Sequence, residues 1–486
     1  VIRLNNEVNM ADRPENKMGT KPIGKLLFFM SIPAIFSMLI QSIYNVVDSM
    51  YVARINLEDN NAINALSLAF PIQMLMMAIA LGIGVGTNSA VARRLGAKKR
   101  QEASNIAKTG LILALGAYLV VFALGWIVPQ AMAHFLEKDP IVEQMIVDYL
   151  SVAMIFSGFI FVEMCATKIL QATGNMIVPM IAQLIGAITN IILDPIFIFG
   201  KGTSLGNPQN FFSFSWGLGM GVRGAAIATV IAQGVAMVFV LLILFLNEHE
   251  IDFSFKKHAV KKQDIKEILK VGFPVMVMNS IGSLTIFLLN TFINRIDDGG
   301  EGILGVYIKL QSFVFMPVFG LSQGAMPIMG YNYGANNKER FQRALKLTAI
   351  SSLSIITVGF LIFQFLPHIL LIIIPLAGPY NDLAKIALRI ISISFLPAAL
   401  NITVSVMFQA IGQGFKSMMM SLLRQLVIIV PFAYVLSLIF PNLSSIWICY
   451  PISEFFALLI FVPIGLKTVK KAFENRAAAE NLAYLY

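Results

Sequence analysis

Gly82-Ile83-Gly84-Val85-Gly86, running on to Leu95-Gly96-Ala97-Lys98, returns 238 residues later as Gly320-Leu321-Ser322-Gln323-Gly324 running on to Tyr333-Gly334-Ala335-Asn336. At the same offset Gln171-Ala172-Thr173-Gly174 returns as Gln409-Ala410-Ile411-Gly412, and Pro33 pairs with Pro274 after a three-residue adjustment in a loop. Two separate matches at one offset mark an internal duplication. The glycine run lacks the strand-loop-helix setting of a phosphate cradle.

What fills the two copies decides the fold. The chain has 486 residues, 57% of them hydrophobic and only 13% charged, with a mean hydropathy of +0.77, a composition foreign to soluble domains. A spanning helix needs about 20 apolar residues. Segments of that kind lie at about 25–53, 63–92, 108–129, 146–170, 176–199 and 222–246, then at about 270–294, 302–330, 346–374, 384–409, 417–440 and 445–466. Each copy therefore holds six spans, and an even number preserves orientation, so the halves are parallel repeats about an axis along the membrane normal. The expected fold is an all-α membrane protein of twelve transmembrane helices in two six-helix bundles related by a pseudo-twofold repeat.

The same reading places an N-lobe at 22–246, a basic cytoplasmic linker at 247–269, a C-lobe at 270–468, and tails at 1–21 and 469–486. Met10, followed by a polar run, reads as a natural start preceded by added residues, and Ala477 to Tyr486 reads as an added end. The first apolar run is too long for a cleavable signal and carries Pro33, Gln41, Asn45 and Asp48. Cys165 and Cys449 sit in apolar runs as small hydrophobes, which implies no disulfide.

The formal charge of +10 is distributed unevenly. Arg93-Arg94 with Lys98-Lys99-Arg100, and the run from Lys256-Lys257 to Lys270, fall on one side, while Glu137, Asp139, Asp297, Asp298 and Glu301 fall on the other. Positive loops face the cytoplasm. The expectation is a multi-pass protein of the inner (plasma) membrane with both termini cytoplasmic, and the basic excess then requires no nucleic-acid partner.

Ionisable groups at membrane depth are costly unless paired, hydrated or functional. Asp48 lies late in the first span, with Tyr44, Asn45 and Gln41 four, three and seven residues before it, so all four project toward roughly one side. That side faces a cavity, or else Asp48 is close enough to the outer surface to be hydrated. In the fifth span Asn190 and Asp194 stand at i, i+4 with Pro195 immediately after. Proline there frees the carbonyl of Ile191, and a carboxylate, an amide oxygen and a loose carbonyl gather within one turn, a set suited to a proton or a hard cation. Asp-Pro is otherwise a helix stop. Glu163 and Lys168 of the fourth span either pair with these acids or mark the inner helix end, with Lys168 snorkelling to the cytoplasmic face. The second half carries Asn279, Asn290 and Asn294, with Lys309, Arg424 and Glu454 as its strongest ionisable candidates and no embedded Asp. One half then handles the coupling ion while the other mainly shapes the substrate path.

Catalytic signatures are missing. His134, His249, His258 and His368 have no metal-ligand spacing, no Walker lysine precedes Ser or Thr, and no cofactor is expected. A two-bundle plan suits alternating access, driven by an ion gradient rather than ATP.

The sequence resembles the multidrug and toxic compound extrusion (MATE) transporters, of prokaryotic type, over residues 22–468. The resemblance rests on Pro33 with Asn45-Val46-Val47-Asp48, on Gly86-Thr87-Asn88 through Arg94-Leu95-Gly96-Ala97, on Gln171-Ala172-Thr173-Gly174-Asn175, on Asn190 through Asp194-Pro195, and on Gly324 through Gly334-Ala335. It implies a proton or sodium site at Asp48, Asn190 and Asp194, with Tyr44 nearby and Thr229 as a sixth-span contributor; Gln41, Asn45 and Glu163 are further candidate cation or substrate contacts. It also implies antiport of amphipathic cationic organic compounds against H⁺ or Na⁺, by a protein that functions as a monomer in the bilayer. The chain departs from subfamilies with acids in the seventh and tenth spans, which favours coupling in the N-lobe without choosing the ion. Two alternatives stay open: a lipid-linked oligosaccharide flippase of the same architecture, whose basic central cavity has little counterpart in the scattered Lys309, Arg424, Arg295 and Arg223, and a non-transport membrane receptor or enzyme.

Orientation can be tested directly. Single cysteines introduced into 93–100 and 331–343 should both react with an impermeant maleimide only when the cytoplasmic face is accessible. Modification of both from the outside of intact cells would reverse the topology.

Overall fold

The computed structural model describes residues 16–52, 54–55, 61–200, 217–246, 250–254, 259–297, 299–376, 378–440 and 442–483. Met10, His249, Lys256, Lys257, His258 and Asp298 lie outside the described residues. In lipid each backbone group needs a partner within its own segment, and the apolar runs answer with helices. The first half supplies α1 (Ile23–Val52), α2 (Asn61–Gly96), α3 (Arg100–Leu124), α4 (Pro140–Ile155), α5 (Gly158–Ala172), α6 (Ile177–Ile198) and α7 (Gly221–Leu246). The second supplies α8 (Lys262–Ile293), α9 (Gly300–Gly334), α10 (Lys338–Phe365), α11 (Tyr380–Ser392), α12 (Phe395–Ala410), α13 (Gly414–Ile439) and α14 (Cys449–Ala483).

Ten of these segments are long and apolar enough to cross a bilayer alone. The other two spans are each broken: α4 meets α5 at a 47° bend and α11 meets α12 at 46°, making twelve if each pair is one span. Sequence reading predicts these two spans unbroken. At the bends Ser157 Oγ donates to the carbonyl of Met154 (2.8 Å) and Ser394 Oγ to that of Ile391 (2.6 Å). Serine hydroxyls that take a carbonyl one turn back bend helices without disturbing hydropathy, so a hydropathy pattern does not register them.

Hydrophobic cores follow the two copies. One gathers around Tyr149 and Phe199 in the first half and another around Phe363 and Trp447 in the second, while the largest includes both halves, from Leu26 and Val91 to Ile328 and Phe408. The lobes are joined at the end that carries Arg93 and Arg94.

The repeated glycines build that junction. A Cβ on Gly96 of α2 would lie 1.9 Å from the Tyr331 carbonyl oxygen of α9, and one on Gly334 of α9 would lie 2.0 Å from the Arg93 carbonyl oxygen of α2. Residues 93 and 331 are themselves one repeat offset apart. Likewise Gly82 and Gly86 meet the backbone of Gly272 and Ile268 in α8, and Gly320 and Gly324 meet that of Ile35 and Ser31 in α1. Each lobe presents the same surface to the other. The left-handed turn residues after α2 and α9 obey the offset too: Lys98 has φ 59° and Asn336 has φ 55°.

Polar ties reinforce the junction. Glu267 of α8 accepts from Arg93 (3.1 Å) and Arg94 (2.6 Å) of α2. Ahead of α1, Asn16 donates to the Thr173 carbonyl (3.2 Å) while Asn332 and Arg340 donate to that of Met18 (3.2 and 3.1 Å), so this segment crosses from one lobe to the other. Lys168 departs from the snorkelling expected of it. It is 5% exposed, and its ammonium donates to Gln171 (3.0 Å) and, in the other lobe, to Gln323 (2.8 Å). Two amide oxygens replace the water that would have drawn it outward.

Overfilling this backbone contact should cost about 1–3 kcal/mol. Gly96→Leu and Gly334→Leu, being equivalent, should lower the melting temperature in detergent by similar amounts and force the basic ends apart. Unchanged melting in both would show that the junction has slack.

Candidate functional site

Away from the junction, inside the first lobe, α1, α6 and α7 bring four sequence-predicted side chains together. Asn190 is 2% exposed and Asp194 fully buried on α6, whose helix runs one turn beyond Pro195 to Ile198 rather than stopping there. The i, i+4 spacing lets the Asn190 amide donate to Asp194 Oδ1 (3.0 Å), and the same nitrogen lies 3.4 Å from the Thr229 hydroxyl of α7. Asp48 of α1 faces Asp194 within hydrogen-bonding reach, carboxyl to carboxyl.

This cluster is short of hydrogens. Asp48 Oδ1, Asp194 Oδ2 and Asn190 Oδ1 are buried with no donor. Unpartnered buried oxygens are expensive, and two facing carboxylates repel unless something positive separates them. A shared proton or a small hard cation satisfies all three oxygens at once, so the donor set fits either. Tyr149 of α4 stands close to both acids and is held by Gln73, whose amide donates to its hydroxyl at 3.0 Å. Sequence reading missed both residues: Gln73 is a polar side chain within an apolar span, a detectable signal, whereas a buried tyrosine carries none.

Beside the cluster lies a small cavity of about 70 Å³. Gln41, Tyr44, Glu163, Asn190 and Thr229 line it, together with apolar side chains such as Met77 and Met164. Asn190 thus belongs to both the cluster and the cavity wall. Glu163 accepts from Thr167 (2.9 Å) and makes no ion pair among the described residues. Asn45 is not part of this wall: it is exposed, on the flank of α1 away from Gln41 and Tyr44.

The second lobe is built differently at the corresponding depth. Arg424 of α13 pairs with Glu454 of α14 at 2.7 Å, and Asn401 of α12 donates to the other Glu454 oxygen at 2.7 Å. Arg424 is the second residue of a π-helical turn, Leu423–Ile428. Lys309 is exposed, apart from this group. Among the described residues no cluster of three His, Cys, Asp or Glu could hold a metal, and both cysteines are buried and free.

Comparison with known proteins agrees with this architecture. The multidrug export protein MepA of Staphylococcus aureus (strain MRSA252) is 26% identical over 429 residues, 88% of this chain and 90% of its own length. MepA of Staphylococcus haemolyticus (strain JCSC1435) is 25% identical over 454 residues, 93% and 96% of the two chains. Among solved structures, a MATE transporter in its bent conformation is 26% identical with a TM-score of 0.85, covering 95% of this chain and 98% of that one. An outward-facing multidrug resistance MATE transporter of the MOP superfamily, 24% identical, gives the same TM-score and covers 95% and 99%. The MatE family model matches residues 33–196 and again 274–435, once in each copy of the repeat. The chain belongs to the MatE family of multidrug and toxic compound extrusion transporters.

Proposed function

We propose that the protein exports small amphipathic, cationic organic compounds across the plasma membrane in exchange for H⁺ or Na⁺. The observation that carries this reading is the trio of donorless oxygens on Asp48, Asn190 and Asp194 inside the lobe. A positive charge entering there neutralises the acids, and its departure leaves them repelling each other. Because Asn190 also lines the neighbouring cavity, the same charge alters how that wall presents itself to a substrate. Competition between coupling ion and substrate for one lobe is the basis of exchange. Alternation of access is the rocking of one bundle against the other about the glycine junction. The export names of the MepA relatives support the direction of transport.

The two acids act as one unit on this reading. In proteoliposomes loaded with ethidium, Asp48→Asn and Asp194→Asn should each abolish gradient-driven transport, and the double variant should be scarcely worse than either, since residues that work together are non-additive. Imposing a proton gradient alone and then a sodium gradient alone identifies the ion. Losses that multiply in the double variant, or transport at the wild-type rate in Asp194→Asn, would overturn the shared site.

A further inference from the structure

Burying a charge at membrane depth is costly, so a charge buried there without a counter-ion calls for a reason. Lys168 of α5 is such a case. It is 5% exposed, and both groups its ammonium donates to are neutral amides: Gln171 on its own helix (3.0 Å) and Gln323 on α9 of the other lobe (2.8 Å). Glu163, the carboxylate that acts on it, does so from a distance; it accepts from Thr167, and Lys168 makes no ion pair among the described residues.

The surroundings aim this ammonium across the junction. Asn88 of α2 donates to the Lys168 carbonyl (2.9 Å), and the aliphatic stem lies over Gly84, where a Cβ would come within 2.8 Å of Lys168 Cγ. Helix α2 touches the backbone of the other lobe at Gly82, Gly86 and Gly96. Gly84 lies near the start of that run, away from the basic loop that follows α2. The charge therefore bridges the lobes at the membrane end of their close contact.

The repeat shows that the fold does not need it. One offset of 238 residues places Val406 of α12 where Lys168 stands, and Ser322 where Gly84 stands. Val406 is buried in the same way, so the second lobe packs this position without a cation. A neutral glutamine could also tie two amides together. What lysine adds is the charge itself.

We infer that Lys168 is a fixed positive charge that seals the closed junction against cations, so that the coupling ion crosses by exchange and not by leaking between the lobes. A cation moving along the interface meets the ammonium before it reaches the cytoplasmic side, and the repulsion is strong because the site is buried and no carboxylate pairs with it. Fixed basic groups exclude cations and protons from membrane pores in this way. The inference rests on the exchange reading above and gives Lys168 a role in tightness, separate from that of the Asp48–Asp194 pair.

Passive leak is measurable without drug. In proteoliposomes given a potassium diffusion potential by valinomycin, proton entry is read from internal pyranine and sodium entry from radioactive sodium. Wild type should leak little above protein-free vesicles, whereas Lys168→Gln, which keeps a hydrogen-bonding tie, should leak about tenfold faster or more. Lys168→Arg should stay tight, and so should Gln323→Ala, which removes the far partner but keeps the charge. Equal leak in wild type and Lys168→Gln overturns the seal, as does a leak in Lys168→Arg or Gln323→Ala, which would make shape or the tie responsible and not the charge. Should Lys168→Gln not fold, Gln323→Glu decides by pairing the ammonium in place: a raised leak supports the seal and an unchanged leak refutes it. Exchange itself is judged by the ethidium assay of the acid variants, so failure of either reading is seen separately.

Discussion

Backbone touching backbone across the junction governs what the rest of the molecule can do. At Gly96 and Gly334 the facing carbonyl oxygens lie where a Cβ would be, so the helices of the two lobes approach more closely than any side chain permits. Lipid offers no hydrophobic drive for helix association, and close packing at small residues supplies it instead. The arrangement holds the lobes firmly at the basic end and leaves their cores separate elsewhere. A joint made of shape, with few charges, can part and re-form without stranding many buried ions; the pairs of Glu267 with Arg93 and Arg94 are the main exception.

Placing the acids away from that joint has an energetic logic. Asp48 and Asp194 lie within one lobe, on α1 and α6, so their mutual distance can change with the shape of a single bundle. Two carboxylates in a low dielectric interact far more strongly than in water. A small helix displacement near Pro195, where one backbone hydrogen bond is already missing, would change that interaction substantially. The missing backbone hydrogen bond thus lies one residue from one of the two acids.

Much of this was readable beforehand because lipid restricts the chain so severely. Hydropathy located the spans, and the glycine repeat identified the duplication. Asn190 and Asp194 were found because polar residues at membrane depth are conspicuous and helical spacing fixes their neighbourhood. What escaped did so for physical reasons. The bends at Ser157 and Ser394 are local hydrogen-bonding choices invisible to a periodicity. Lys168 found, beside Gln171 on its own helix, an amide oxygen of Gln323, 155 residues distant in sequence, a partner that no local pattern points to. Asn45 shares a helix with Asp48, yet the angular difference between three and four residues sends it to the exposed flank.

The glycine junction also has the geometry of an isologous dimer interface. Residue 96 of one half meets residue 331 of the other while residue 334 meets residue 93, which is the reciprocal pattern that two identical subunits make about a twofold axis. A six-helix half-chain carrying this surface is self-complementary, so the geometry of the joint does not depend on the covalent link between the lobes. Once fused, the halves no longer need to be the same, except along the shared face. Asp194 and Arg424 could then arise in one half each, giving a symmetric hinge two chemically unlike arms.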